Sequence, residues 1–410
     1  MKHRWLPLFL LILSGEVIFL LPFVIARVFR PTLLQVFQID NLQLGSFFSL
    51  YGIIGMLSYF FGGPLADRFA ARKLMASSLL LTSLGGFYLY TLPSAQEMHF
   101  LYAFWGFTTI FLFWASLIKA TREWGGEAHQ GRAFGFLDGG RGLAAALLGT
   151  AAAFIFSGFL TGNATTASLS DKTEALQGVI LFFSCFTLVT SVLVWLFLQT
   201  DNSSDTKQER MQIGQIWQVL QMPTVWLQAM IILSAYSGYK LADNFPQYAS
   251  DVLGFSEVKS AVASTVLLWV RPFAAVTAGI LADKISSNKL IAYSFTMMSI
   301  GGLLLGAGWF AGVGVFFAAL LFIGSGMFAM RGLYFAIMQE GNIPLQYTGT
   351  AVGIVSVLGY TPEIFIGPLM GYLLEYFPKE KGHAYLFLIL TAFSLIGLLV
   401  NQIFSQYKKN

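Results

Sequence analysis

Long runs of apolar residues, separated by short polar stretches, recur from one end of this chain to the other. Each run is about 20 residues or longer, and an α-helix of that length crosses roughly 30 Å of hydrocarbon. The pattern predicts twelve membrane-spanning helices, at residues 6–29, 42–64, 73–93, 98–120, 132–160, 176–199, 223–249, 259–282, 289–310, 313–338, 347–375 and 384–406. No small-residue cleavage site follows the first run, so we interpret it as a spanning helix and not as a signal peptide.

One long polar stretch divides the predicted helices into two sets of six. It reads TDNSSDTKQERMQIGQIWQVLQM at residues 200–222, and the pattern of its second part predicts a short amphipathic helix on the membrane surface. The predicted organisation is therefore an N-terminal six-helix bundle at residues 1–200, a cytoplasmic linker at 201–222 and a C-terminal six-helix bundle at 223–410. The other loops are too short to hold a soluble catalytic domain.

Composition supports a membrane protein and excludes several other classes. The chain is 56% hydrophobic and 11% charged, with a mean hydropathy of +0.69, whereas soluble domains are about 25% charged. Cys185 is the single cysteine, and the four histidines lack the spacing of metal ligands. We therefore expect no disulfide, no metal and no cofactor.

The distribution of basic residues predicts how the chain is oriented in the membrane. With the N-terminus in the cytoplasm, fourteen Lys and Arg residues near the helix ends are cytoplasmic, and five are outside: Arg30, Lys172, Lys259, Lys379 and Lys381. The positive-inside rule then places both termini in the cytoplasm of a multi-pass protein of the cell (inner or plasma) membrane. The net charge of +4 reflects this bias and does not indicate nucleic-acid binding.

A segment of the chain occurs twice, 216 residues apart. Residues 63–86 read GPLADRFAARKLMASSLLLTSLGG and residues 279–302 read GILADKISSNKLIAYSFTMMSIGG, with eleven identical positions. A helix–loop–helix repeated at half the chain length indicates two similar halves. Many transporters are built from such halves, with the substrate between them.

The repeated loop resembles the signature of the major facilitator superfamily. That signature is Gly-x-Leu-(Ala/Ser)-Asp-(Arg/Lys)-x-Gly-Arg-(Arg/Lys), between helices two and three, often with an echo between helices eight and nine. Seven residues match in the first copy and six in the second, although Ala70 replaces the second glycine. The resemblance implies an all-α fold of twelve transmembrane helices in two pseudo-symmetric bundles. It also implies a gating role for Asp67, Arg68, Asp283 and Lys284, whose charge contacts would hold one conformation and release in the other.

Charged residues inside the predicted helices mark candidate sites, because an ionisable group at bilayer depth needs a partner or a cavity. The cations at such depth are Arg27, Arg141, Lys240, Arg271 and Arg331, and the acids are Glu16, Asp138, Asp243 and Glu363. The surplus of cations favours an anionic substrate. We predict that Arg27, Lys240 and Arg271 bind it, with Tyr239 and Tyr360 as aromatic neighbours.

The acidic residues are candidates for carrying protons or for pairing with these cations. We expect Glu16, Asp243 or Glu363 to couple protons, while Asp138 and Arg141, spaced i,i+3, pair near the cytoplasmic side and contribute to gating. The 216-residue offset maps Arg27 onto Asp243. Three alternatives stay open: snorkelling of Arg27 to the interface, a local Lys240–Asp243 pair, and neutralisation of Arg271 by a neighbouring acid or carbonyl.

The stretch after helix seven resembles a subfamily, the bacterial organophosphate:phosphate antiporters for glycerol-3-phosphate and hexose phosphates. Asp243, Pro246 and Tyr248 match its Asp-x-x-Pro-x-Tyr sequence, and Arg27 fits its helix-one arginine. Gly238 stands where its second arginine is expected, with Lys240 two residues on. Since lysine lacks the bidentate fork that suits phosphate, this difference weakens the case for a phosphorylated substrate.

The sequence thus predicts a secondary transporter, working as a monomer by alternating access, for a small organic anion. Sugar phosphates, sugar acids and related carboxylates or sulfonates are the expected classes, moved with protons or against a counter-anion. The alternatives are a proton-driven exporter of drugs or siderophores, and a membrane sensor on the same fold. An integral-membrane enzyme is disfavoured, because no nucleophile–base or metal constellation is present, and ATP drive because no phosphate-binding loop is found.

Overall fold

The structure is a computed structural model that describes residues 5–125, 130–159, 168–198, 213–282, 285–308, 312–333 and 348–407. In these ranges the regular secondary structure is helical throughout. The long helices, labelled α1 to α12 in chain order, are Trp5–Val28, Asn41–Arg68, Ala71–Tyr90, Ala95–Gly125, Gln130–Phe159, Leu169–Phe197, Pro223–Leu241, Glu257–Ala282, Ser287–Gly306, Val313–Leu333, the pair Thr348–Gly359 and Pro362–Tyr376, and Lys379–Tyr407.

These helices correspond one to one to the twelve predicted spans. Among the described residues, ten helices are long and apolar enough to cross a membrane, and α3 and α7 occupy the other two predicted positions. Shorter helices lie at Arg30–Phe37, Ile213–Leu220 and Phe245–Asp251. The helix Ile213–Leu220 confirms that the second part of the linker is helical.

Several of the spans depart from regular α-helix at positions where proline or threonine perturbs the backbone. A π-helical turn interrupts α1 at Leu20–Val24, around Pro22. A second one interrupts α4 at Phe107–Trp114, where the hydroxyl of Thr109 donates to the carbonyl of Trp105 at 2.7 Å. The two pieces of α11 meet just before Pro362. The prediction of unbroken spans missed these irregular turns.

The chain forms two compact units whose boundaries differ from a simple division at the linker. Unit 1 contains residues 1–201, 243–272 and 367–383, and unit 2 contains residues 202–242, 273–366 and 384–410. Residues 243–272 and 367–383 contain the first part of α8, the last part of α11 and the first residues of α12. These parts of the three helices therefore pack with the first half of the chain. The predicted boundaries of the two six-helix bundles, at residues 1–200 and 223–410, stay a prediction.

Glycines bring helices of unit 1 into backbone contact. A Cβ placed on Gly45 of α2 would collide with the backbone of Gly367 in α11, and one on Gly371 would lie 2.6 Å from the carbonyl oxygen of Asn41. On α5, a Cβ at Gly149 would lie 2.6 Å from Leu268 of α8. Helices α2 and α8 are counterparts in the sequence repeat, as are α5 and α11. Both contacts therefore join counterpart helices, although through residues that are not equivalent, since the counterpart of Gly45 is Ala261.

Unit 2 has its own buried contacts. A Cβ on Gly326 of α10 would lie 2.5 Å from the carbonyl oxygen of Ser294 in α9, and one on Gly359 of α11 would lie 2.5 Å from Ile232 in α7. Fully buried aromatic side chains such as Phe295 and Phe316 fill the space between these helices. Small residues at the crossings and aromatic residues beside them give unit 2 dense packing.

Candidate functional site

Two arginines converge on one buried carboxylate in unit 1. Glu16 of α1 accepts a hydrogen bond from Nη1 of Arg271 at 3.1 Å through Oε1, and its Oε2 lies 3.3 Å from Nε of Arg141. All three side chains are at most 7% exposed. Arg141 is also 3.6 Å from Asp138, whose side chain is 47% exposed. We call Glu16, Arg141, Arg271 and Asp138 the Glu16 cluster.

Local sequence makes room for the two arginine side chains. A Cβ on Gly15 would lie 3.2 Å from Cδ of Arg141, and one on Gly142 would lie 3.1 Å from Cγ of Arg271. The glycines next to Glu16 and Arg141 thus let the arginine stems lie flat against α1 and α5. The Arg141 guanidinium carbon also lies 5.6 Å from the ring centre of Trp114, within the range of a cation–π contact.

The Glu16 cluster holds more positive than negative charge in its buried part. Two guanidiniums face one carboxylate there, and the second negative partner, Asp138, is half exposed and paired at a longer distance. A buried charge costs on the order of several kcal/mol unless partners compensate it. Two guanidiniums that share one carboxylate can also donate to the oxygens of another negative group that takes its place.

Arg27 and Asp243, the two positions that the repeat equates, form an ion pair. Nε of Arg27 lies 2.5 Å from Oδ1 of Asp243, and both side chains are at most 8% exposed. Equivalent positions of two related halves meet only where they lie near the pseudo-twofold axis between the halves. Arg30, the first residue of the short helix Arg30–Phe37 that follows α1, donates to Asn41 at 2.8 Å and to Gln247 at 2.8 Å.

Further polar contacts join first-half residues to second-half segments within unit 1. Thr32 donates to Glu257 at 2.5 Å, Lys172 reaches Glu257 at 3.2 Å, and the backbone amide of Asn41 donates to Glu375 at 2.7 Å. These contacts, with the Arg27–Asp243 and Arg30–Gln247 pairs, form what we call the outer cluster. Lys172 belongs to the side that the basic-residue distribution predicts to be outside.

Asp251 lies at the edge of this region and binds two basic groups. Lys379 reaches it at 3.0 Å, and Nε2 of His383 lies 3.2 Å from it. Burial alone would raise the pKa of the Asp251 carboxyl, but the hydrogen bonds from His383 and Lys379 outweigh burial and hold this pKa below its ordinary value. The Nδ1 of His383 is 2.8 Å from Asn244, so one imidazole connects Asn244 to Asp251.

A second cluster lies in unit 2. Lys240 of α7 donates to Oε1 of Glu363 at 2.9 Å, and the hydroxyl of Tyr236 donates to Oε2 of Glu363 at 2.6 Å. Tyr239 stacks on Tyr236 with ring centres 5.5 Å apart, and Tyr360 meets Tyr236 edge-on at 4.9 Å. The guanidinium of Arg331 lies 4.7 Å from the ring centre of Tyr239. We call these six residues the Glu363 cluster.

The structure gives each buried predicted residue a specific partner. Arg27 pairs with Asp243 instead of reaching the interface, Lys240 pairs with Glu363, and Arg271 pairs with Glu16. Asp138 and Arg141 do pair, but Arg141 lies closer to Glu16. The predicted gate residues Asp283 and Lys284, and the side chains of Asp67 and Arg68, lie outside the described residues.

The sequence did not single out Tyr236, which hydrogen-bonds Glu363, or the sharing of Glu16 between Arg141 and Arg271. The gating role predicted for Arg141 stays a prediction. Arg30 was counted as an outside loop charge, yet it is 1% exposed. No local signal predicts the Tyr236–Glu363 and Arg141–Glu16 contacts, because the partners lie 127 and 125 positions apart in the chain.

The family profile described as Major Facilitator Superfamily matches residues 12–365, so the chain belongs to this superfamily. A related protein, the inner membrane protein YqcE of Escherichia coli K12, is 25% identical over 99% of this chain and 95% of its own length. The inner membrane protein YihN of the same strain is 25% identical over 98% of this chain and 95% of its own length.

Solved structures share the fold at lower identity. The crystal structure of a bacterial homologue of the human lysosomal transporter Spinster, inward-facing and unoccupied, matches with a TM-score of 0.73 and 14% identity. The match covers 99% of this chain and 98% of that one. The protein is therefore a multi-pass membrane protein with the superfamily's twelve helices in two bundles, as the sequence predicted, and its fold is that of secondary transporters.

Proposed function

We propose that this protein is a secondary transporter of a small organic anion, with Arg141 and Arg271 as the residues that bind the anionic group. The observation that carries the proposal is the convergence of these two arginines on the single carboxylate of Glu16. Sugar phosphates, sugar acids and related carboxylates or sulfonates are the proposed substrate classes. Movement is by alternating access, coupled to protons or to a counter-anion.

The chemistry of the guanidinium supports this choice of residues. Arginine is permanently charged and presents planar N–H donors that match the oxygens of carboxylate, sulfonate or phosphate groups. Hydrogen bonds between ionised groups are roughly twice as strong as neutral ones, and low exposure protects them from screening by salt. An anion binding here would therefore be held by charge and by orientation.

The Glu363 cluster, within unit 2, is a second candidate for contact with a substrate. Lys240 and Tyr236 hydrogen-bond the Glu363 carboxylate, while Tyr239 and Tyr360 pack on Tyr236 and Arg331 lies over Tyr239. Aromatic faces and hydrogen-bonding groups together suit a hydroxylated carbon skeleton such as a sugar ring. We propose, as the sequence predicts, that the substrate contacts Lys240, Tyr239 and Tyr360. Glu363 and Asp243 are alternatives to Glu16 as proton carriers.

The proposal is tested by uptake into proteoliposomes of purified protein. We would measure entry of radiolabelled gluconate, glucose 6-phosphate and isethionate, with and without an imposed pH gradient. Arg141→Ala and Arg271→Ala should each reduce uptake of the transported anion at least tenfold. Lys259→Ala is the matched control for Arg271, since it removes an exposed cation from the same helix and should leave uptake close to wild type.

Three results would contradict the proposal. Unchanged uptake in both arginine variants would remove Arg141 and Arg271 from the binding site. Saturable binding of an anion without uptake would favour the sensor, and proton-driven efflux of uncharged drugs without anion uptake would favour the exporter.

A further inference from the structure

We infer that Glu16 occupies the place between Arg141 and Arg271 that the anionic group of the substrate takes during transport, and that one proton on Glu16 travels with each anion. This inference rests on the proposed function and adds the coupling ion to it. It starts from the way the carboxylate is shared, with one oxygen facing each arginine, at 3.1 Å and 3.3 Å.

In this geometry the Glu16 carboxylate makes the contacts with the two arginines that a substrate carboxylate would make. A carboxylate, sulfonate or phosphate offers at least two oxygens from one centre, as Glu16 does. Both kinds of group would accept hydrogen bonds from the same two guanidiniums, whose side-chain stems pack against Gly15 and Gly142. Substrate and ionised Glu16 therefore compete for the two arginines.

The groups around Glu16 determine the sign of the effect of pH. Arg141 and the half-exposed Asp138 face it from α5, Arg271 from α8, and the rings of Phe19 and Trp114 lie by Arg141 from α1 and α4. The two arginines are charged at any physiological pH. Within this set, protonation of Glu16 frees arginine donors, so anion affinity rises as pH falls.

The charge count explains why a proton and an anion would move together. Arg141, Arg271, Asp138 and ionised Glu16 together sum to zero charge. When Glu16 binds a proton and a monoanion replaces it between the arginines, the sum is again zero. The buried site thus has the same net charge with and without the bound anion. Neither form has to bury an additional uncompensated charge.

The proton step is a simple transfer. On the side of high proton concentration, a proton from water binds an oxygen of Glu16. The ion pairs between Glu16 and the arginines then break, and the incoming anion forms ion pairs with the same arginines. After the site opens to the other side, the anion leaves, the proton returns to water, and the Glu16 carboxylate binds Arg141 and Arg271 again. One proton and one anion have crossed.

The test compares wild type with Glu16→Gln and Glu16→Asp. The wild-type affinity for whichever of gluconate, glucose 6-phosphate or isethionate is transported should fall up to tenfold per pH unit as pH rises, the limit for one linked proton. Glu16→Gln should bind it with no such dependence and exchange it across the membrane, yet fail to accumulate it on a pH gradient. Glu16→Asp should keep the dependence, as should Glu174→Gln, which changes an exposed acid.

The possible failures are distinguishable. If wild type transports none of the three anions, the proposed function fails. If wild type transports one of them but a pH electrode detects no proton entering with it, or if Glu16→Gln retains the pH dependence, only the inference about Glu16 is overturned. The wild-type proton measurement decides the question even if Glu16→Gln does not fold.

Discussion

At the scale of single residues, the chain keeps its buried charges in specific pairs. Arg27 has Asp243, Lys240 has Glu363, and Arg141 and Arg271 have Glu16. Removing one member of such a pair leaves the other uncompensated in a medium that solvates it poorly. Replacing both members by neutral groups avoids that penalty.

The Lys240–Glu363 pair allows a direct test of this principle. Lys240→Gln or Glu363→Gln alone should lower the free energy of unfolding by about 3–5 kcal/mol, because each leaves one buried charge unpaired. The double variant should recover most of that loss. Thermal unfolding of detergent-solubilised protein measures the coupling. Lys379→Gln is the control, since Lys379 is 70% exposed and a surface pair contributes only about 0–1 kcal/mol.

Simple additivity of the two single changes would contradict the assignment of Lys240 and Glu363 as a coupled pair.

At the scale of elements, helix crossings in unit 1 depend on glycines. Gly45 and Gly367 touch through their backbones, and Gly149 packs on Leu268. The absence of side chains lets α2 approach α11, and α5 approach α8, closely enough for van der Waals packing to hold them in lipid. Such smooth contacts also allow sliding of one helix on another.

We expect Gly45→Ala to destabilise the protein by about 1–3 kcal/mol, the usual cost of overpacking, because the new methyl group would meet the backbone of Gly367. Gly135→Ala is the matched control: a Cβ there has nothing within 4 Å, and alanine should gain up to about 1 kcal/mol through helix propensity. Thermal unfolding should move in opposite directions for the two variants. Shifts of the same sign and size would show that the α2–α11 contact is looser than described.

The short helix Phe245–Asp251 and the start of α12 are joined by a pH-sensitive contact at Asp251. Since its pKa in the folded protein is lower than in the unfolded chain, the contact stabilises the fold above the ordinary carboxyl pKa of about 4 and is lost as pH falls through the lower folded value. The stability difference between wild type and Asp251→Asn should therefore be largest near neutral pH and shrink under acid conditions. A difference that grows on acidification would reverse the assigned sign.

At the scale of the whole molecule, the proposed alternating access requires that the outer cluster break and re-form. Contacts such as Thr32 with Glu257 and Arg27 with Asp243 tie first-half residues to second-half segments in unit 1. Under this proposal these contacts close one side of the transporter, and we expect another conformation in which the residues separate.

Cross-linking this region should stop transport. In a Cys185→Ser background, Thr32→Cys with Glu257→Cys joined by a short bifunctional thiol reagent should abolish uptake, and reduction of a cleavable linker should restore it. Each single cysteine treated with the same reagent is the control. Uptake that survives complete cross-linking would show that the outer cluster stays closed throughout the cycle.

Much of the architecture follows from the sequence alone. Twelve runs of apolar residues predict twelve helices because a backbone in lipid must satisfy its hydrogen bonds internally, whatever its neighbours are. The 216-residue repeat predicts two related halves, and the Asp67 loop predicts the superfamily to which the chain belongs. The need for partners in the membrane also identifies Glu16, Arg27, Lys240, Asp243, Arg271 and Glu363 as unusual residues.

The tertiary structure decides which of these residues meet. Asp138 and Arg141 are adjacent on their helix, and local spacing predicts a pair, yet Arg141 lies nearer to Glu16, 125 positions away. Helical periodicity fixes which residues share a face, but long-range packing fixes what that face touches. The apolar pattern by itself therefore determined a membrane protein of twelve helices, and only the folded chain determined that two arginines share a single glutamate, because that depends on how three distant helices cross.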